Sequence, residues 1–128
     1  MKTQAISVLI VEDEAMTAMF METMLRRKGF NVLKCVSSGE EAVNISLELN
    51  PDFVLMDIRL AGKMDGIEAV TKIKAVSMAA TKFIFTTGYS DLELKEKMME
   101  LEPEGVFIKP VNVPELVNLI NFSIKRQG

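Results

Sequence analysis

Phe53-Val54-Leu55-Met56-Asp57 is a short apolar run that ends in a carboxylate. Pro51-Asp52 precedes it, and an apolar run of this length bounded by turn residues is typical of a buried strand. Two other apolar runs also lead into charged residues. One is followed by Glu12-Asp13, and the other by Lys109, after which Pro110 comes. A charge at the end of a buried strand is unfavourable unless something pairs with it. The three runs therefore predict a site that contains three acids and one base.

Strands alternate with helices along the chain. Apolar runs predict strands at residues 6–11, 31–36, 53–57, 82–87 and 105–108. Helical spacing and capping residues predict helices at residues 14–27, at 38–49, from 65, at 90–100 and from 112. Five such strand–helix units predict an α/β domain with a parallel sheet covered on both faces. The run at 31–36 contains Asn31 and Lys34, which makes it the best candidate for an edge strand.

Two helices carry apolar stripes that predict their buried faces. The stripe of the first helix consists of Met16, Met19, Phe20, Thr23 and Met24. The stripe of the last helix consists of Val113, Leu116, Val117, Ile120 and Ile124. Core packing is the preferred interpretation of the methionine-rich stripes, and a methionine-lined docking surface is the alternative. The predicted N-terminal caps are Ser38 with Glu41, Asp65 with Glu68, Ser90 with Glu93 and Asn112 with Glu115.

Composition excludes several classes of protein. The chain has 128 residues, 48% of them hydrophobic and 26% charged, which is typical of one domain with a substantial core. Its net charge of −3 and scattered basic residues argue against direct nucleic-acid binding. Cys35 is the only cysteine and no apolar stretch approaches membrane-spanning length, so we expect a cytoplasmic protein without disulfides. The absence of histidine excludes Ser-His-Asp catalysis and any phosphohistidine on this chain.

The carboxyl ends of the predicted strands bring chemically useful residues to one edge of the sheet. These residues are Glu12, Asp13, Asp57, Thr86, Thr87 and Lys109. Neighbouring carboxylates repel one another unless a cation is present, and Mg²⁺ takes oxygen ligands while keeping several waters. A lysine ammonium suits a phosphoryl oxygen. The pattern predicts a metal-assisted phosphoryl site.

At this point the chain resembles the receiver domain of two-component response regulators. The residues that carry the resemblance are Val11-Glu12-Asp13-Glu14, Met56-Asp57, Asp65-Gly66-Ile67-Glu68, Thr87-Gly88-Tyr89-Ser90-Asp91 and Lys109-Pro110. Each motif alone is weak, but their order, spacing and preceding strands together are specific. The resemblance implies a flavodoxin-like, doubly wound (βα)5 fold with strand order 2-1-3-4-5.

The resemblance also implies a role for each site residue. Asp57 would accept a phosphoryl group from the phosphohistidine of a sensor histidine kinase or a histidine phosphotransfer protein. Mg²⁺, with Mn²⁺ as an alternative, would be held by Glu12, Asp13, Asp57 and the backbone carbonyl of Arg59. Lys109 would pair with the phosphoryl group from a cis Lys109-Pro110 bond, and Thr87 would supply the switch hydroxyl.

The chain departs from the family pattern at Val106, which stands where receivers usually carry an aromatic ring. We therefore hypothesise that Tyr89, after the fourth strand, carries part of the conformational signal. In the family, the positions of Arg59 and Tyr89 tune the lifetime of the phosphoryl group. An Arg59→Ala change is expected to alter that lifetime with little effect on stability.

Because few residues follow the predicted last helix, we expect a single receiver domain over residues 1–128, without an output domain, that acts through protein contacts. Its target would bind the face formed by the fourth helix, fifth strand and fifth helix, and the kinase would meet the first helix. Beyond Mg²⁺-dependent self-phosphorylation and autodephosphorylation, no enzymatic activity is expected. The alternatives are a receiver cut from a larger regulator or hybrid kinase, a receiver that signals without phosphorylation, a flavodoxin-like binding module, and an aspartyl-phosphate phosphohydrolase. The last would need an aspartate where Arg59 stands.

Overall fold

The computed structural model describes residues 5–127 of the chain. Its strands are β1 (Ser7–Val11), β2 (Asn31–Val36), β3 (Phe53–Asp57), β4 (Lys82–Thr87) and β5 (Gly105–Ile108). Within the described range these five strands form one parallel sheet in the order β2-β1-β3-β4-β5. The predicted fold and strand order are confirmed, and β2 is an edge strand as expected.

Helices cover both faces of the sheet. They are α1 (Ala15–Arg27), α2 (Gly39–Leu49), α3 (Gly66–Val76), α4 (Lys95–Glu100) and α5 (Val113–Gln127). One core contains side chains of α2, α3 and α4, and the other contains side chains of α1 and α5. All five residues of β3 are buried between them. Asp57 is therefore held at the end of the most enclosed strand of the sheet.

The helix caps follow the predictions in part. Asp65 and Glu68 form a complete capping box at the start of α3, and the Asn112 side chain accepts a hydrogen bond from the Glu115 N–H. Ser38 caps α2, but the Glu41 carboxylate accepts from the Ser37 N–H, so the predicted box is not closed.

The predicted buried face of α1 is wrong for four of its five residues, and Met24 alone packs against the core. Met16, Met19 and Phe20 are 81%, 65% and 56% exposed, and Thr23 is exposed too. The helix packs instead through Ala18, Met21 and Leu25. These three residues also follow helical spacing, so periodicity alone could not choose between two apolar stripes on one helix.

Two further predictions need correction near the C-terminal half. Ile124 is exposed, whereas the rest of the α5 stripe contacts the core. The helix predicted from Ser90 begins as a 3₁₀ segment, Tyr89–Leu94, and becomes α-helical only at Lys95. The tight first turn arises because the Asp91 N–H donates to the Gly88 carbonyl, three residues earlier.

Candidate functional site

Three acids meet at the carboxyl end of the sheet. Glu12 and Asp13 follow β1, and Asp57 ends the neighbouring β3. One carboxylate oxygen from each lies within 4.8 Å of the others. Glu12 and Asp57 are buried, while Asp13 is exposed. The cluster predicted from the sequence is therefore formed, and it opens to solvent on the Asp13 side.

Lys109 neutralises the buried part of this cluster. Its Nζ lies 2.6 Å from Asp57 Oδ2 and 2.9 Å from Glu12 Oε1. Burial disfavours the ammonium, but the hydrogen bonds to Asp57 and Glu12 outweigh it and raise the pKa of Lys109 above its ordinary value. Lys109 therefore remains a cation at neutral pH. The Lys109-Pro110 peptide bond is cis, as the family resemblance implies.

Thr87 and Thr86 end β4 on opposite faces of the sheet, as successive strand residues do. Thr87 is buried, and its hydroxyl donates to the Gly88 carbonyl at 3.2 Å. Thr86 is the register partner of Asp57, and it lines a cavity beside α1. Thr87 thus stands at the edge of the site with its hydroxyl turned to the backbone.

Arg59 contacts the site through its backbone and a second acid through its side chain. Its N–H donates to Asp57 Oδ1 at 3.1 Å. Its Nε and Nη2 lie 2.9 and 2.5 Å from Asp91 Oδ1. These hydrogen bonds raise the pKa of Arg59 and hold the pKa of Asp91 below its ordinary value. Asp91 is buried, and sequence reasoning assigned it no role.

The two positions that the family resemblance links to signalling differ in their exposure to solvent. Tyr89 is 76% exposed and begins the 3₁₀ segment. Val106 is half-buried and packs against the core formed with α2 and α3. The hypothesis that Tyr89 carries part of the signal remains a prediction.

The donor set of the acid cluster fits a hard divalent cation. Carboxylate oxygens are the ligands that Mg²⁺ prefers, and the exposed side at Asp13 leaves room for bound waters. The Arg59 N–H contact to Asp57 keeps the Arg59 peptide beside the cluster. Glu12, Asp13 and Asp57 are therefore the side chains that could hold Mg²⁺, and the Arg59 carbonyl remains a ligand that only the family resemblance implies.

A largely apolar cavity of about 480 Å³ lies next to this cluster. Met16, Thr17 and Phe20 of α1 line one side, and residues 109–111 line another. The exposed stripe of α1 thus continues into a depression that reaches Lys109 and Glu12.

Comparison with known proteins decides the family. The family model described as "Response regulator receiver domain" matches residues 8–121. The chain belongs to the response regulator receiver domain family. The receiver domain of a modulated diguanylate cyclase from Desulfovibrio desulfuricans G20 superposes on this receiver with a TM-score of 0.86 and 33% identity, covering 96% of each chain.

Two curated relatives are longer than this receiver. It is 30% identical to the transcriptional regulatory protein PdtaR of Mycobacterium tuberculosis over 93% of this chain and 57% of the relative. It is 42% identical to a cyclic di-GMP phosphodiesterase of Thermotoga maritima over 88% of this chain and 29% of the relative. The receiver thus spans about half, or less, of these relatives. Among its described residues, the helices are too short or too polar to cross a membrane.

Proposed function

We propose that this receiver accepts a phosphoryl group from a histidine of another protein onto Asp57. The observation that carries the proposal is the position of the Asp57 carboxylate. It lies between the Lys109 ammonium and the Arg59 N–H, with Glu12 and Asp13 within metal-sharing distance. The donor histidine must belong to another protein because this chain has none.

The transfer is a nucleophilic substitution at phosphorus. An oxygen of Asp57 forms a bond to phosphorus while the P–N bond of the phosphohistidine breaks. The electron pair of that bond stays on the ring nitrogen, and a protonated phosphohistidine ring leaves as neutral imidazole. Mg²⁺, when bound by the acid cluster, would offset the charge of the carboxylates and of the incoming phosphoryl oxygens.

Lys109 and Thr87 would respond to the product. The Lys109 Nζ already contacts Asp57 Oδ2, so it is in reach of a phosphoryl oxygen attached there. The Thr87 hydroxyl, which donates to the Gly88 carbonyl in this structure, would turn to donate to a second phosphoryl oxygen. The product would therefore gain contacts that the unmodified site lacks, which is the basis of a switch.

The donor protein would dock on α1. Receivers of this family interact with histidine kinases or phosphotransfer proteins, and such a partner must bring its histidine to Asp57. The exposed residues Met16, Met19 and Phe20 offer an apolar surface that ends in the cavity beside Lys109. Packing of a donor helix there would cover the stripe and exclude water from the reacting groups.

The output would use the surface at the β5 edge of the sheet. Met99 of α4, Ile108 of β5 and Phe122 of α5 are exposed apolar side chains on three consecutive elements. A separate protein target would bind this surface. In a longer regulator, as the lengths of the two relatives suggest, a linked domain would use it instead.

Incubation with Mg²⁺ and phosphoramidate, a small donor with a P–N bond, tests the proposal. Intact mass should show one phosphoryl adduct that hydroxylamine removes, since hydroxylamine cleaves acyl phosphates. Asp57→Asn is the matched control because it keeps the size of the side chain and removes the nucleophile. Failure of the wild type to form an adduct, or an adduct that survives in Asp57→Asn, would refute the proposal. Chelation with EDTA should abolish labelling if the metal is required.

A further inference from the structure

We propose that Asp91 is a positioning residue that links the backbone beside the phosphoacceptor to the turn that carries Thr87. The link runs through the Arg59 guanidinium. The inference rests on the proposed phosphoacceptor function of Asp57, and it adds a second acid to the machinery that controls the phosphoryl group.

The first half of the link fixes the segment after β3. The Arg59 N–H donates to Asp57 Oδ1, while Nε and Nη2 of the same residue both contact Asp91 Oδ1. An arginine held at two donors has its direction defined as well as its position. Asp91 thereby fixes the orientation of the residue whose N–H contacts the acceptor carboxylate.

The second half of the link fixes the segment after β4. The Gly88 carbonyl accepts a hydrogen bond from the Asp91 N–H at 3.1 Å and another from the Thr87 hydroxyl at 3.2 Å. Asp91 therefore contacts Arg59 through its carboxylate and Gly88 through its N–H. A continuous chain of hydrogen bonds runs from Asp57 through Arg59, Asp91 and Gly88 to Thr87.

This chain of bonds gives phosphorylation a route to the surface. When Thr87 turns toward a phosphoryl oxygen, its bond to Gly88 is lost, and Asp91 becomes the hydrogen-bonding group that retains the Gly88 turn. Movement of that turn is then transmitted through Asp91 to the 3₁₀ segment, which includes the exposed Tyr89. Val106 lacks the ring that usually moves with the threonine, so a route through the 3₁₀ segment substitutes for it.

The link acts through geometry more than through stability. The Arg59 side chain is 74% exposed and that of Asp91 is 5% exposed, so the pair lies at the surface with one partner covered. Solvent screens the exposed guanidinium. Asp91→Asn removes the buried charge and keeps the size of the side chain, so this variant should fold. Arg59→Ala leaves the Asp91 carboxylate buried without its partner and should be the less stable of the two variants, so thermal unfolding must verify that it is folded at the assay temperature.

A double-mutant cycle on phosphoryl decay tests the link. Wild type, Asp91→Asn, Arg59→Ala and the double variant are labelled with phosphoramidate and Mg²⁺, and loss of the adduct is followed by intact mass. Asp91→Asn should accelerate decay about fivefold or more, because a freed Arg59 segment admits water to the acyl phosphate. The double variant should decay no faster than Arg59→Ala, since Asp91 acts through Arg59. Effects that multiply, or an unchanged decay in Asp91→Asn, would overturn the inference.

Glu93→Gln is the matched control for charge. Glu93 is exposed, lies on the same 3₁₀ segment and acts on Arg59 only through its charge. Glu93→Gln removes one negative charge near Arg59, as Asp91→Asn does, but it leaves the charged carboxylate that accepts from the guanidinium in place. Decay should be unchanged in Glu93→Gln. Acceleration equal to that of Asp91→Asn would show a charge effect and would contradict a positioning role.

The fluorescence of Tyr89 provides a second measurement, which a purely structural role of Asp91 would leave unchanged. It is the only tyrosine of a chain without tryptophan, and it lies two residues before Asp91. Its fluorescence should change when Mg²⁺ and beryllofluoride, a phosphoryl analogue, are added to the wild type. At least half of that change should be lost in Asp91→Asn, and full retention would overturn the link. An unlabelled wild type refutes the phosphoacceptor function itself, whereas a labelled wild type with additive variants refutes only the role of Asp91.

Discussion

Lys109 contacts carboxylates of the cluster that could hold a metal ion. Its ammonium contacts Asp57 and Glu12, which are two of the three acids in the cluster. The ammonium and Mg²⁺ therefore compete electrostatically at this site, although the proposed function needs both. Lys109 also keeps the buried acids compensated when no metal is bound.

Replacing Lys109 with methionine should strengthen Mg²⁺ binding while weakening phosphorylation. A unit charge about 6 Å from a divalent ion opposes binding by about 1.4 kcal/mol in a water-like dielectric, which is about tenfold in affinity. Calorimetric titration with Mg²⁺ measures the first effect and phosphoramidate labelling the second. Lys97→Met, on the exposed side of α4, is the control and should change neither. Equal or weaker Mg²⁺ binding by Lys109→Met would contradict the competition.

The pH dependence of this difference follows from the raised pKa of Lys109. Because the pKa of Lys109 is raised in the folded protein, the contribution of its ammonium to folding stability is fully present below the unfolded pKa of about 10.4. That contribution is lost only as the pH rises through the folded pKa, so Lys109 keeps its charge over the whole neutral range. The affinity difference between Lys109→Met and wild type should therefore be constant between about pH 7 and pH 9.

Helix α3 begins in direct contact with the strand that ends at Asp57. A Cβ added to Gly66 would lie 2.3 Å from the Asp57 carbonyl oxygen and 2.8 Å from Ile58 Cα. Both are backbone atoms, which cannot rotate aside as a side chain can. The first turn of α3 therefore sets the position of the acceptor strand, and only glycine permits that approach.

Gly66→Ala should destabilise the domain by about 1–3 kcal/mol, the usual effect of overpacking. Urea unfolding measures it, and phosphoramidate labelling should fall as well because the Asp57 backbone is displaced. Gly88→Ala is the matched control, since nothing lies within 4 Å of a Cβ there and its φ of −87° suits any residue. Its stability should stay within about 0.5 kcal/mol of wild type. Equal stability of the two variants would contradict the close approach.

At the scale of elements, the sequence predicted the positions of the strands better than it predicted which face of a helix is buried. A buried parallel strand is apolar throughout, so β3 and β4 were recognisable from composition alone. Helix α1 carries two apolar stripes, and the choice of Ala18 over Met16 depends on how the helix meets the sheet. The contact of Arg59 with Asp91 joins residues 32 positions apart, which a single sequence does not reveal. The acid cluster was predictable because each strand ends at the same edge.

The whole molecule presents two apolar surfaces that serve different partners in the proposed function. One is the α1 stripe beside the acid cluster, and the other includes Phe122 on α5. Free donors such as phosphoramidate need neither surface. A protein donor needs the first, and a target needs the second.

Phe20→Ala should slow phosphoryl transfer from a phosphorylated histidine kinase about tenfold or more, as truncation of a buried aromatic anchor typically does. Labelling by phosphoramidate should be unchanged, because Phe20 lines the cavity and Asp57 does not. Phe122→Ala, an exposed phenylalanine on α5, is the control and should leave both rates unchanged. A decrease in both rates with Phe20→Ala would show damage to the site instead of loss of docking.

The strand order has a consequence for the chain as it is synthesised. Strand β1 pairs with both β2 and β3, and β4 and β5 then extend one edge of the sheet in turn. A domain generally folds as a unit, so the complete sheet forms only after β5 has left the ribosome. Glu12, Asp13 and Asp57 are synthesised before Lys109, which directly follows β5. The three acids are therefore brought together in the same folding step that brings Lys109, their own cation, into contact with Asp57.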